Sequence, residues 1–379
     1  MYARILKPPK LQSFFLFGPR GTGKSSWTKA QFPESNVVDL LEGDVYTDLL
    51  AQPTRLSRYL TNKSSPVIID EIQKVPPLLD EVHRLIEKED LQFILTGSSA
   101  RKLRRTGVNL LAGRAFTLSM FPLTAQELGP DFNLKQAMEF GLLPSIYGKK
   151  HLDFSKYLKS YVQTYLREEV FQEGLTRNLP AFSRFLEAAS FSQGAVLNLS
   201  AVAADCSVPR KTVESYFGLL DDLLLGCRIP PFSKRAKRET VAHSKFYFFD
   251  AGVFRAIRPK GPLDSPDEIS GMALETLVFQ ELRALNSYLD LGYEVSFWRT
   301  QTHLEVDFVL YGEKGLRVFE VKKGSRFRTE DLRGLREFLK DYPIAKAHLL
   351  YGGDRMFQED GIQIIPLKDF FKSALDWIG

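Results

Sequence analysis

Apolar residues along the chain fall into short runs that alternate with stretches of helical spacing. Leu11–Phe17 is apolar and aromatic and stops at Gly18-Pro19. A short apolar run bounded by turn residues predicts a buried parallel strand. Ser25–Gln31 then predicts a helix, and Val37–Leu41 a second strand. Pro66–Glu71 predicts a third strand that ends in two acids, with helical spacing following over Val82–Glu87. Leu91–Leu95 predicts a fourth strand, running into Thr96-Gly97-Ser98-Ser99, and Ala115–Met120 a fifth. Strands alternating with helices imply a doubly wound parallel sheet. Such sheets bind ligands at the carboxyl ends of their strands. Gly18–Ser25, Asp70-Glu71 and Thr96–Ser98 all lie at such ends.

From about Asn133 to Gly194 the pattern turns helical, over Phe154–Phe171 and Leu179–Ala189. Leu199–Ala203 predicts a short capped helix, Ser207-Val208-Pro209 a turn, and Lys211–Leu225 a longer helix. With Arg228–Phe232 as a wing, this unit resembles a winged helix; a plain helical lid fits the same apolar positions. Lys245–Asp250 and Ala251–Ile257 precede a Pro/Gly-rich loop at Pro259–Pro266. Next come a helix at Ser270–Tyr288 and strands at Tyr293–Trp298, Glu305–Tyr311 and Leu316–Val321. A helix at Thr329–Lys340 and a strand at Lys346–Leu350 complete a second α/β unit. The expected division is a doubly wound core at 1–130, a helical linker at 131–195, a winged-helix-like part at 196–245 and an α/β domain at 246–379.

Composition narrows the class. Two or three domains are expected for 379 residues. Hydrophobic content of 44% with 26% charged residues is ordinary for globular domains and excludes global disorder. No apolar run is long enough to span a bilayer, and the apolar stretch near the start runs straight into a Gly-rich loop, as a core strand would. Two cysteines, Cys206 and Cys227, make neither a disulfide framework nor a zinc site. The expectation is a cytoplasmic protein without membrane contact. The net charge of +5 is mild. Basic residues cluster at Arg101–Arg105, at Lys234–Arg238, and from Lys322-Lys323 to Arg326 and Arg328. Each cluster lies next to a segment that would hold phosphate, which favours DNA as a partner.

Gly18-Pro19-Arg20-Gly21-Thr22-Gly23-Lys24-Ser25 matches G-x-x-x-x-G-K-[ST] in full. Its glycines let backbone N–H groups turn onto phosphate oxygens, and the helix behind, with Ser26 in its first turn, presents a positive end. Lys24 is placed for the β- and γ-phosphates of ATP, and Ser25 and Asp70 for Mg²⁺. Glu71 is placed to polarise the attacking water, and Thr96 or Ser98 to orient it. Over roughly residues 10–200 the chain resembles an AAA+ ATPase. Asp70-Glu71 looks like the Walker B pair, and Thr96-Gly97-Ser98 resembles a sensor 1 turn. Leu111–Ala115 follows where related proteins carry an arginine that acts on a neighbouring subunit's nucleotide. The resemblance thus implies that role for Arg114 and a ring-like homo-oligomer. No sensor 2 arginine is identified.

A second constellation lies in the carboxyl-terminal part. Glu320 and Lys322 are two apart on one strand and share a face. A tight turn at Tyr311–Gly315 brings Asp307 alongside. A carboxylate pair beside a lysine suits Mg²⁺ or Mn²⁺. This looks like the D-x(n)-E-x-K core of PD-(D/E)XK nucleases, with Glu275 matching the extra helix acid that many carry; no proline precedes Asp307. It also resembles the carboxyl-terminal domain of unknown function that accompanies this ATPase type. The resemblance implies a metal held by Glu275, Asp307 and Glu320, with Lys322 positioning the nucleophile. Gln301 and His303 are candidates to line the cleft. A salt-bridge ladder or a domain that binds without cutting would use the same residues. The expected function is ATP-driven remodelling or translocation of DNA with metal-dependent cleavage. The alternative is a regulatory or defence switch whose carboxyl-terminal domain only binds a partner.

Overall fold

The computed structural model describes residues 2–101, 103, 111, 113–147, 153–166, 178–234, 238–262 and 264–379. The chain divides into two compact units. The first is Arg4–Phe121 with Asp222–Leu225, and the second is built mainly from Pro122–Asp221 and Gly226–Gly379. The division therefore falls at Phe121/Pro122 rather than at 130, and the three later expected parts form one unit.

The first unit is built on a five-stranded sheet of β1 (Ser13–Phe17), β2 (Asn36–Asp39), β3 (Val67–Asp70), β4 (Phe93–Gly97) and β5 (Ala115–Ser119), in the order β2-β3-β4-β1-β5. All four pairings are parallel. Every residue of β1, β3 and β4 is buried, as expected for strands covered on both faces. Phe15 and Phe17 join Val67, Ile69, Phe93 and Leu95 in one core, while Phe14 packs edge-on against Trp27. The helix expected at Val82–Glu87 extends over Leu78–Glu89. Pro77 begins it without needing an N–H, and Leu78, Val82 and Leu85 form its buried stripe. Asp90, in the left-handed region at φ 51°, ends it.

In the second unit, helix Leu199–Cys206 is capped by Asn198, whose side chain accepts from the Ala201 N–H. Helix Arg210–Asp222 follows after a turn. The expected wing at Arg228–Phe232 is instead β6 (Gly226–Ile229), paired antiparallel with β7 (Lys245–Phe248). A boundary at 245/246 would cut this pair. Asp250, fully buried, accepts from the Leu142 and Val253 N–H groups at 2.8 and 3.0 Å, and burial pushes its carboxyl up to about 6.

A six-stranded sheet carries the carboxyl-terminal part. Its strands are β8 (Glu294–Arg299), β9 (Glu305–Gly312), β10 (Gly315–Lys322), β11 (Lys346–Tyr351), β12 (Phe357–Glu359) and β13 (Ile362–Pro366), ordered β12-β13-β11-β10-β9-β8. β9 and β10 form a hairpin in which Gly312 pairs with Gly315, whose φ of 118° suits glycine. β10 and β11 run parallel, joined through helix Arg333–Asp341. That helix lies so close to β9 that a Cβ on Gly334 would stand 1.9 Å from the Glu305 carbonyl oxygen. Helix Pro266–Tyr288 is capped by Ser265 and buries much of its length. No helix among the described residues is long and apolar enough to cross a membrane.

Candidate functional site

The phosphate loop joins β1 to helix Lys24–Gln31. Gly21 and Gly23 stand at φ 83° and 93°, a region that costs other residues strain. A Cβ on Gly18 would lie 2.3 Å from the Met120 carbonyl oxygen, so the loop must start with glycine to pass β5. Thr22 Oγ1 donates to the Pro19 carbonyl at 2.8 Å and ties the turn. Lys24 is buried, and its Nζ donates to the carbonyls of Gly18 at 2.7 Å and Pro19 at 3.3 Å. The ammonium is thereby held on the loop that phosphates would enter. Ser25 is half-buried, and Ser26 and Arg20 are exposed.

β4 lies between β3 and β1, so the ends of β3 and β4 open beside this loop. Asp70, at the end of β3, accepts a short hydrogen bond from Thr96 Oγ1 on β4. Glu71 follows at φ 61°. Gln73 Nε2 donates a short hydrogen bond to Glu71 Oε2 and a second, at 3.3 Å, to Ser98 Oγ. Gln73 thus couples the acid that would polarise water to the turn after β4. Sequence reasoning passed over it; its only local signal is its place two residues after Glu71. The donor set fits a magnesium nucleotide: a hydroxyl, a carboxylate, an ammonium and a glycine-rich backbone. Arg114 stands just before β5 and is ion-paired with Glu87 of the same chain; residue 112 of the expected segment lies outside the described residues.

The carboxyl-terminal acids are brought together, but around a lysine that the sequence reading did not single out. Lys245, on β7, is only 1% exposed. Its Nζ lies 3.4 Å from Asp307 Oδ1 and 3.5 Å from Glu275 Oε1, and closer still to Glu305. Tyr247, two residues on along the same face of β7, donates to Glu275 Oε1. Asp307 Oδ2 accepts from the Val321 N–H at 2.9 Å. Glu320 Oε1 takes Lys322 Nζ at 2.7 Å, and its buried Oε2 has no partner among the described residues.

Burial, and then the neighbouring Asp307 charge, pushes Glu275 up to about 7 and Glu320 up to about 8. Burial opposes charge on both lysines. Glu275, Asp307 and Glu305 around Lys245, and Glu320 and Asp307 around Lys322, outweigh it, so both hold their protons more tightly than a free lysine.

Glu275, Asp307 and Glu320, expected to hold a metal, each stand beside a lysine ammonium. Two of those acids enclose an ammonium and the third faces another. No group of three or more His, Cys, Asp or Glu among the described residues is arranged to hold a metal ion. A divalent cation would have to share its site with Lys245 at Coulombic cost. Gln301 donates to the Thr240 carbonyl, and His303 meets Arg299, which pairs with Glu305 at 3.3 Å.

The basic clusters are also less free than their sequence suggests. Lys234 pairs with Glu294, Arg238 with Glu337 and Asp341, and Lys323 with Asp267. Residues 102, 104, 105 and 235–237 lie outside the described residues.

Residues 11–129 match the family model of an AAA domain. Residues 131–264 and 270–370 match two domains of unknown function, DUF8612 and DUF4143. No curated protein matches the chain. Among solved structures, one similar chain is a Signal Transduction ATPase with Numerous Domains (STAND) protein with a tetratricopeptide repeat sensor from Pyrococcus horikoshii. It is 13% identical with a TM-score of 0.22, over 74% of this chain and 46% of that one. This chain thus spans less than half the length of that protein. Another is protein VC1899 from Vibrio cholerae, 10% identical with a TM-score of 0.25, over 97% of this chain and 98% of that one. The glycine loop, the parallel sheet and the family match make the amino-terminal part of this chain an AAA-type ATPase domain, with ATP and, as is usual for such domains, Mg²⁺ as its ligands.

Proposed function

We propose that this protein is a self-associating, ATP-hydrolysing switch whose second unit engages DNA without cutting it. The observation that carries the reading is the phosphate loop, Asp70-Glu71 and Thr96 gathered at one edge of one parallel sheet. Gly18–Ser25 binds the phosphates, Lys24 neutralises their charge, and Ser25 and Asp70 hold Mg²⁺. Glu71 orients the attacking water once Gln73 releases it. Arg114 serves the nucleotide of a neighbouring subunit, leaving Glu87 to do so. Mixing Arg114→Ala subunits with Lys24→Ala subunits is expected to recover ATPase activity that neither variant has alone. No recovery at any mixing ratio counts against action in trans.

DNA engagement is supported by the helix pair Leu199–Cys206 and Arg210–Asp222 with the β6–β7 hairpin beside it, an arrangement like a winged helix. Arg210 and Lys211 stand exposed at the start of the second helix, where such folds contact DNA. The enclosure of Lys245 by Glu275, Asp307 and Glu305 supports binding without cleavage. A labelled duplex incubated with the full chain and Mg²⁺ or Mn²⁺ is expected to gain fluorescence anisotropy and remain full length on a denaturing gel. Arg210→Ala with Lys211→Ala weakens that binding. Cutting that disappears in Asp307→Asn would establish the nuclease reading instead.

A further inference from the structure

A cavity of about 370 Å³ opens in the second unit between helices Phe154–Ser160 and Ala251–Ile257. Lys159, Arg255, Arg258 and Lys260 line it, and Glu139 is the one carboxylate among its described lining residues. Like charges repel, and Glu139 with the Asp264 partner of Arg258 offsets only part of these four cations, so an entering anion would be favoured. Arg258 is 8% exposed, with its guanidinium stacked 3.6 Å above the Phe191 ring and Nη2 paired with Asp264 at 3.2 Å. Its Nε and Nη1 are buried and have no partner among the described residues, and the same holds for Arg255 Nε. Buried donors without acceptors carry a desolvation cost that a bound oxyanion would remove. The Phe191 ring and Asp264 fix the Arg258 fork in place. Burial, and then the charges of Arg255 and Lys159, hold the Lys260 ammonium below the usual lysine range despite Glu139.

We propose that this cavity binds a phosphate group. A tetrahedral oxyanion with several acceptor oxygens matches guanidinium forks, and the excess of positive charge favours more than the single charge of a carboxylate. The phosphate comes either as a small free anion or from a nucleic-acid backbone. Nothing in this site depends on the ATPase reading, since none of its residues belongs to the first unit.

The test uses the full chain saturated with ADP and Mg²⁺, so that the phosphate loop is filled. Inorganic phosphate is titrated by calorimetry, and a fluorescein-labelled single strand by anisotropy over a salt series. Arg255→Gln with Lys260→Gln removes two cations that are not deeply buried, and thermal unfolding checks that the fold persists. Binding of the responsive probe is expected to fall about tenfold or more in the double variant. A fall confined to inorganic phosphate assigns a small anion. A fall for the labelled strand, with its salt slope reduced by about one to two, assigns a backbone. Unchanged affinity for both probes in a folded double variant overturns the proposal.

Discussion

Lys24→Ala lowers the ATPase rate of the full chain by about 10²–10³-fold, the scale seen when one preorganised donor to a developing charge is removed. Lys24 holds the sole ammonium within the glycine loop, bonded to the Gly18 and Pro19 carbonyls. When phosphates enter, it exchanges those carbonyls for anionic oxygens at little reorganisation cost, because burial and the loop already fix its position. The loop's backbone N–H groups remain, so the variant keeps part of its nucleotide affinity. Glu71→Gln separates the two roles further: it should bind ATP as the wild type does and turn it over slowly. Phosphate release measured under saturating ATP and Mg²⁺ checks both. Hydrolysis by Lys24→Ala within a few-fold of wild type would remove the loop from the chemistry.

Lys245→Ala destabilises the second unit by about 3–5 kcal/mol, the usual cost of leaving a buried ionic partner uncompensated. Glu275 and Asp307 would then face each other without Lys245 between them, and Glu305 would keep only Arg299, at 3.3 Å. At about 2–4 °C per kcal/mol for a unit of this size, the midpoint falls by roughly 10 °C.

The pH dependence has a definite sign. Glu275 already holds its proton up to about 7 in the fold against 4.5 when free, so the native state binds more protons than the unfolded chain between those values. Stability therefore falls as pH rises through that window. Removing Lys245 raises the carboxylates further, so the loss is larger at pH 8 than at pH 5. Mn²⁺ should restore the midpoint of Lys245→Ala, by entering the vacated position, and leave the wild type unmoved. Calorimetric scans of both proteins with and without Mn²⁺ check this. A wild-type midpoint that rises with Mn²⁺, and stops doing so in Asp307→Asn, would return the site to metal binding.

Much of the first unit was readable along the chain because its signals are local. The glycines of the loop, the apolar run before it and the acids closing β3 are each contiguous, and strand ends in a parallel sheet must share an edge. Strand limits shifted by a residue or two, as with Leu91–Leu95 becoming Phe93–Gly97, because burial continues past the hydrogen-bonded ladder. Two strands, β12 and β13, and the two helices ending the chain were not anticipated. β12 is three residues long, too short to display a period.

Sequence alone settled what could be encoded within one segment: the phosphate loop, the acids that follow β3, and the hairpin that sets Asp307 beside β10. Tertiary structure decided what those acids face. Lys245 lies 30 residues from Glu275 and 62 from Asp307, on a strand paired with β6. Nothing in the spacing of Lys245-Phe246-Tyr247 distinguishes a lysine that points to solvent from one enclosed by three carboxylates. The difference is made by β7 lying where helix Pro266–Tyr288 and β9 present their acids. A buried cation there satisfies by chain packing the charge that a divalent ion would otherwise have to neutralise.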